Sequence, residues 1–300
     1  MNFAIRQNYE NPIILHVMRV DPELIHPYKT DDLIHLGQQC DGGYVLNRCV
    51  LEHTRILVTL GINADWSFEE DFVRRAGEGV RVFGYDFSVS EEIFRKEWIS
   101  RVLYLFSLKF LLRLIRKPSR RLIREVYGYA RSARKTYKAF PRFFNGKDRV
   151  FFQKGVSNIH KDPFITFPEV MENLPHPISD RSVFLKIDIE QSEYRILGDV
   201  LRYSPSLTGM AIEFHDLDIL WGPFQTFMEA ARKDFVLTHV HGNNYGGFIP
   251  GTTVPIALEV TLVHKSLLPG DLVPFKGEYP LPGLDFPNDP GQADIPLRFN

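Results

Sequence analysis

Phe184-Leu-Lys-Ile-Asp-Ile-Glu-Gln-Ser-Glu-Tyr194 is the stretch from which the rest of the chain can be read. An apolar run ends abruptly in three acids, Asp188, Glu190 and Glu193, and a helical pattern follows through Tyr194, Ile196 and Leu197. A near-continuous apolar run suits a parallel strand buried on both faces. Carboxylates at the carboxyl end of such a strand lie where open α/β sheets bind ligands. These acids therefore mark a candidate active site.

Outward from this stretch, short β-rich runs alternate with helical patterns. The expected strands are Arg55–Ile62, Val80–Asp86, Val150–Val156, Val183–Glu190, Gly209–Phe214, Phe235–His241 and Pro255–His264. The expected crossover helices are Ser67–Ala76, Ser192–Tyr203 and Phe224–Lys233. Strand and helix in alternation imply an α/β domain, a parallel sheet covered on both faces. The last two strands are joined by Gly242–Gly251, a run of turn formers with no helical pattern, which permits an antiparallel ending. Asp41-Gly-Gly-Tyr-Val-Leu46 reads as a tight turn and a short strand. Seven prolines between Pro269 and Pro296 make residues 266–300 an extended cover, not a further domain. The expectation is a single domain over residues 1–300.

Composition excludes several classes. The two cysteines, Cys40 and Cys49, form neither a disulfide framework nor a zinc cluster, so a reducing compartment, the cytoplasm, is expected. The N-terminal Met1–Glu10 has no apolar core of signal-peptide length, and no apolar run is long enough to span a bilayer. Between Trp98 and Arg142 stand 13 Lys or Arg and one acid, Glu125, a net +12; the remainder carries −13, for a total of −1. This block belongs to an insertion over residues 91–147, read as a helical pair. Lys109, Arg113, Arg116 and Arg120 fall on one face, and Leu103, Phe110, Leu111 and Leu114 on another. Either the apolar side packs on the domain and the basic side is merely solvated, or residues 98–142 form a platform for an anionic membrane or glycan surface. No specific nucleic acid is expected, because the aromatics match no RNA-binding or helix-turn-helix signature.

The strand ends carry the chemistry. Gly61, Asn63 and Asp65 follow the first strand, and Ser67 with Glu70 fits a capping box. Asp86 ends the second strand, where an acid can accept hydrogen bonds from both hydroxyls of a ribose. Gly155 and Val156 open a loop that can lie against an adenine. The fourth, fifth and sixth strands bring Asp188 and Glu190, Glu213-Phe-His-Asp216, and His239-Val-His241 to one edge. Two readings stay open. One is a divalent metal, such as Mg²⁺, on Asp188, His215 or Asp216, and His239 or His241. The other is a metal-free site with a histidine as general base. Asp216-Leu-Asp218 also spells an Asp-x-Asp, a pattern that holds a metal and a nucleotide diphosphate in sugar transferases.

In this order these residues resemble the FkbM-type family of S-adenosylmethionine (SAM)-dependent methyltransferases. Lys186, Ile187, Asp188, Glu190 and Glu193 match that family's strand-four motif, with Gln191 in place of its glycine. Gly61 and Asn63 match its first loop, where Thr59 stands for an acid and Asp65 for a glycine. Asp41-Gly-Gly-Tyr44 and His241-Gly-Asn-Asn244 also look like a branch of it. The resemblance implies a Rossmann-like class I methyltransferase sheet, mostly parallel with an antiparallel last strand. It implies SAM as donor and a hydroxyl of a sugar, glycan or glycosylated small molecule as acceptor. Asp86 would hold the ribose, and Gly61, Asn63 and Asp65 would line the methionine end. Asp188 would sit beneath the transferring methyl, with His215 and His241 as base or metal ligands. The competing expectations are a metal-dependent sugar transferase and a non-catalytic module docking on an anionic surface.

Overall fold

The structure is a computed structural model that describes residues 20–77, 79–116 and 119–300. The segment Met1–Glu10, read above for a signal core, lies outside the described residues. In chain order the elements are β1 Leu33–Leu36, β2 Tyr44–Asn47, α1 Arg48–His53, β3 Ile56–Leu60, α2 Ser67–Ala76 and β4 Arg81–Tyr85. Then come α3 Glu91–Leu105, α4 Leu108–Arg116, α5 Arg120–Phe143, β5 Arg149–Phe152, β6 Gly155–Ser157, β7 Phe164–Thr166 and α6 Phe167–Glu172. The remainder is β8 Val183–Ile187, α7 Glu193–Arg202, β9 Leu207–Phe214, α8 Leu217–Ala231, β10 Phe235–Phe248, β11 Pro255–His264, β12 Gly277–Tyr279 and β13 Leu297–Phe299.

Seven strands form the central sheet in the order β10-β11-β9-β8-β3-β4-β5. β5, β4, β3, β8 and β9 pair in parallel, and β11 opposes both β9 and β10. Only the last strand in the chain order of this sheet is reversed, the Rossmann-like methyltransferase arrangement. Every residue of β3, β8 and β9 is buried, as two-sided cover requires. Alternation along β3 sends Val58 and Leu60 to the face packed by α6, α7 and α8, and Leu57 to the face packed by α2. α2 carries Glu69 and Glu70 in its first turn and Arg74 and Arg75 in its last, each sign matching the local end of the helix dipole. Among the described residues, no helix is long and apolar enough to cross a membrane.

Four expectations change. Val150–Val156 is not one strand. The chain turns at Gln153 and Lys154, where Lys154 N donates to Phe152 O, and β6 leaves the sheet to pair with β7. Gly242–Gly251 is not all loop. β10 runs to Phe248, which pairs with Pro255 of β11, and Gly242 lets the side chains of Pro255 and Ile295 approach to within 2.9 Å of where a Cβ would sit. The insertion holds three helices, not two, and its apolar face is largely exposed, as described below. Ser67 is the first residue of α2, not its cap; Asp65 accepts from Ser67 N at 2.9 Å and from its hydroxyl at 3.0 Å. In the tail, β12 and β13 pair antiparallel, and Asp285, Asn288, Asp289 and Asp294 contact the sheet edge.

Candidate functional site

The strand order turns back on itself between β3 and β8: β4 and β5 lie to one side, and β9 and its neighbours to the other. Such a switch point opens the crevice in which α/β sheets bind ligands. Leu60 pairs with Ile187, so Gly61 and Asp188 stand side by side at its mouth. Gly61 has φ +83°, and a Cβ there would lie 1.7 Å from Asp188 O. The glycine is therefore required by the close approach of the two strand ends. Lys186, buried below them, donates to Gly61 O at 3.0 Å and lies 3.7 Å from Asp188 Oδ2. Burial opposes its charge, but the carboxylates of Asp188, Glu69, Glu213 and Asp65 outweigh burial and raise its pKa.

β9 supplies the other wall. Glu213 is its penultimate residue, and His215 follows its end. His215 Nδ1 and its backbone N–H both lie 3.1 Å from Glu193 Oε1, a buried carboxylate at the start of α7. That bond turns Nε2 toward Glu213 and Glu190, each at 3.8 Å, and Asp188 at 4.0 Å. Burial works against the imidazolium, but the Glu193 hydrogen bond and the charges of Glu213, Glu193 and Asp188 raise its pKa to about 9. Burial, followed by the Asp188 and Glu259 charges, pushes the Glu213 carboxyl well above the usual range; His215 and the 2.6 Å bond from Asn243 Nδ2 counter only part of this. Tyr44 donates to Asp188 Oδ2 at 3.4 Å and closes the cluster from β2.

Asp188, Glu213 and His215 each offer a ligand atom within 4.8 Å of the other two. Two carboxylate oxygens and one imidazole nitrogen suit a divalent cation. The Glu193 bond to the far ring nitrogen is the outer-shell support that metal-bound histidines use. The residues present thus fit a metal, with Glu213 in the place the sequence reading gave to His241.

His241 lies outside this cluster. Its Nδ1 is 3.3 Å from Glu259 Oε2, and its Nε2 is 3.1 Å from Asp294 Oδ1 in the tail. Burial is overcome by these two bonds and by the Glu259 and Asp285 charges, and the pKa rises to about 11. A buried imidazolium held at both nitrogens is neither a base nor a ligand. His239 also lies outside the cluster, with Nε2 2.8 Å from Asp285 Oδ1. The expected Asp-x-Asp does not form a site either: Asp216, at φ +51°, precedes α8, and Asp218 is exposed on its first turn.

The cofactor-side residues fall along β3, β4 and β6. Asp86 is nearly buried, and its carboxylate already takes four protein hydrogen bonds. Ile62 N and Asn63 N reach Oδ2 at 2.9 and 2.8 Å, and Ser88 N and Oγ reach Oδ1 at 2.7 and 2.6 Å. It holds the Gly61–Asn63 turn rigid, leaving little acceptor capacity for a ribose. Asn63, exposed at φ +50°, is the free polar group of that turn. Asp65 is engaged by the backbone N–H and hydroxyl of Ser67. Thr59, where the family has an acid, bonds the buried Glu69 at 2.6 Å, so a carboxyl reaches this position from α2 instead. Val156 is in the core, and Gly155 packs against Phe164. Phe87, directly after Asp86, is half exposed and packs in a tilted contact on the same Phe164, ring centroids 5.3 Å apart.

Sequence reasoning missed Tyr44, Glu69, Phe87 and the tail acids as site or site-supporting residues. Tyr44 had a signal in the Asp-Gly-Gly-Tyr motif. The tail acids had none, because their partners are about 50 residues or less away only through a fold the spacing does not reveal.

No protein-family model matches the sequence, and no curated protein matches it. Among solved structures, the chain is similar to a precorrin-6y C5,15-methyltransferase from Geobacter metallireducens GS-15. The identity is 10% and the TM-score 0.32, over 72% of this chain and 86% of that one. A likeness so remote adds nothing to the chemistry, and the FkbM-type resemblance rests on the motif residues alone.

Proposed function

We propose that this chain is a SAM-dependent O-methyltransferase acting on a hydroxyl of a sugar, glycan or glycosylated small molecule. The observation that carries this reading is the convergence of Asp188, Glu213 and His215 beside the Gly61 turn, at the switch point of the sheet. The matches to the FkbM-type motif at Lys186, Ile187, Asp188, Glu190 and Glu193 support it. When bound, SAM supplies a methyl group on a sulfonium for in-line displacement, a reaction governed by alignment. The acids at this edge complement a cationic donor. The rigid Gly61–Asn63 turn offers its backbone to the methionine end. Phe87 offers an apolar ring to a nucleobase.

A neutral hydroxyl needs help to lose its proton, and a positioned base is worth about 10²–10⁴-fold. With its pKa raised to about 9, His215 is a poor general base near neutral pH, and as a ligand it would have to give up the same proton. Geometry favours the metal reading: two carboxylate oxygens and an imidazole nitrogen lie within 4.8 Å of one another. Asp188, Glu213 and His215 would hold a divalent ion such as Mg²⁺, which supplies Lewis acidity for a bound hydroxyl. Asp188, the member of the three most open to solvent, is the carboxylate that would reach the acceptor hydroxyl.

Isothermal titration with SAM and S-adenosylhomocysteine, with and without Mg²⁺, tests the proposal. Saturable binding of both, tightened by Mg²⁺, is expected. Binding of neither would sink it.

A further inference from the structure

The α3–α5 insertion is packed at its base and bare at its tip. At the base, Phe94 and Phe140 are buried against Trp66, the residue before α2. At the tip, Phe106, Leu108, Leu111, Leu112 and Ile115 are between 43% and 83% exposed. Of the two readings left open for the insertion, packing of the whole apolar face on the domain is not what the structure has. Of the residues placed on that face, Phe110 is buried, Leu114 is half-buried, and Leu103 and Leu111 face solvent.

The exposed set has an order. Leu108, Leu111, Leu112 and Ile115 recur at i, i+3, i+4 and i+7, one stripe of α4 roughly 100° wide. Phe110 anchors the opposite side. Lys109, Arg113 and Arg116 run along the flank of the stripe and line a cavity of about 420 Å³ with Leu112, Ser119 and Leu122. No acid occurs between Glu97 and Glu125. An exposed apolar patch of this kind marks an interaction surface. An apolar helix face bordered by cations is the pattern of helices that lie in a membrane interface. A uniform positive charge over this length complements a uniformly anionic sheet of headgroups.

We propose that the tip of the insertion is a peripheral anchor for anionic bilayers. α4 lies in the interface plane, with Leu108, Leu111, Leu112 and Ile115 among the acyl chains. Lys109, Arg113 and Arg116 meet lipid phosphates. The anchor is independent of the methyl-transfer reading, since none of these residues belongs to the sheet edge.

Vesicle cosedimentation of the full chain tests this, comparing phosphatidylcholine alone with a three-to-one mixture of phosphatidylcholine and phosphatidylglycerol. Binding to the mixed vesicles is expected to be at least about tenfold tighter and to weaken with salt. The triple variant Lys109→Ala/Arg113→Ala/Arg116→Ala should lose about a hundredfold, at about 1 kcal/mol per cation. Leu108→Ser/Leu112→Ser/Ile115→Ser should lose membrane binding while its circular dichroism and melting remain those of the parent, because these side chains are already exposed. Failure to bind mixed vesicles overturns the proposal. So does unchanged binding by the apolar triple variant, or light scattering that shows a second copy seated on the stripe.

Discussion

His215 and His241 stand on the same edge of one sheet, each surrounded by carboxylates, and differ in what is left open. Glu193 holds one nitrogen of His215, while the other faces Asp188, Glu190 and Glu213 at 3.8–4.0 Å. His241 is held at both nitrogens, by its cross-strand neighbour Glu259 and by Asp294 from the tail. Composition is nearly identical in the two places. The difference is geometric: an imidazole bonded on one side has a nitrogen for chemistry, and one bonded on both sides is a brace.

The comparison breaks most readily through activity. Asp188→Ala and His215→Ala should each lower methyl transfer of the folded protein by about 10²–10⁴-fold, and His215→Ala should also lower the melting temperature, since it leaves Glu193 without its partner. His241→Phe should spare turnover of the folded protein and cost stability alone. It leaves Glu259 and Asp294 without their cation and should cost about 3–5 kcal/mol of unfolding free energy in a denaturant titration. Equal effects of His215 and His241 substitutions on turnover, at matched stability, would erase the distinction.

pH separates the two more finely. Both histidines have folded pKa values raised above the ordinary 6.5, so each contributes stability that is complete below pH 6.5 and falls as pH rises. The His215 contribution is gone above about pH 9, and that of His241 above about pH 11. Thermal melts of His241→Phe and the parent should therefore converge toward pH 11. At His215 a metal competes with the proton on Nε2, so Mn²⁺ affinity should rise with pH, by about tenfold per unit below pH 9 if one proton is displaced. A flat affinity profile would remove His215 from the ligand set.

The smallest effect expected is at Gln191. It holds φ +70° where the resembled family has glycine. The left-handed conformation costs an L-residue about 1–2 kcal/mol, partly offset by the entropy a glycine loses on folding. Gln191→Gly should stabilise by about 1 kcal/mol or less, read as a shift in the denaturation midpoint.

These residues also show what the sequence makes legible. The parallel strands were readable because burial on both faces leaves a continuous apolar signature, as in β8 and β9. Asp188 was readable because it ends such a run. The role of Asp86 was not. Its four donors come from a turn more than twenty residues away and from Ser88, and nothing in the type of residue distinguishes a ligand acceptor from a turn brace. His241 failed for the same reason: Asp294 reaches it across 53 residues through a tail with no periodic pattern. The direction of the exposed stripe of α4 was left open, because helical spacing identifies an apolar face but not the way in which it points.

The most direct measurement is a crystal soaked with S-adenosylhomocysteine and Mn²⁺, examined by anomalous scattering. The account predicts an anomalous peak bonded to Asp188, Glu213 and His215, with the cofactor beside Gly61 and no peak at His241. Cofactor and metal density away from this edge, or a peak on His241 and Asp294, would contradict it.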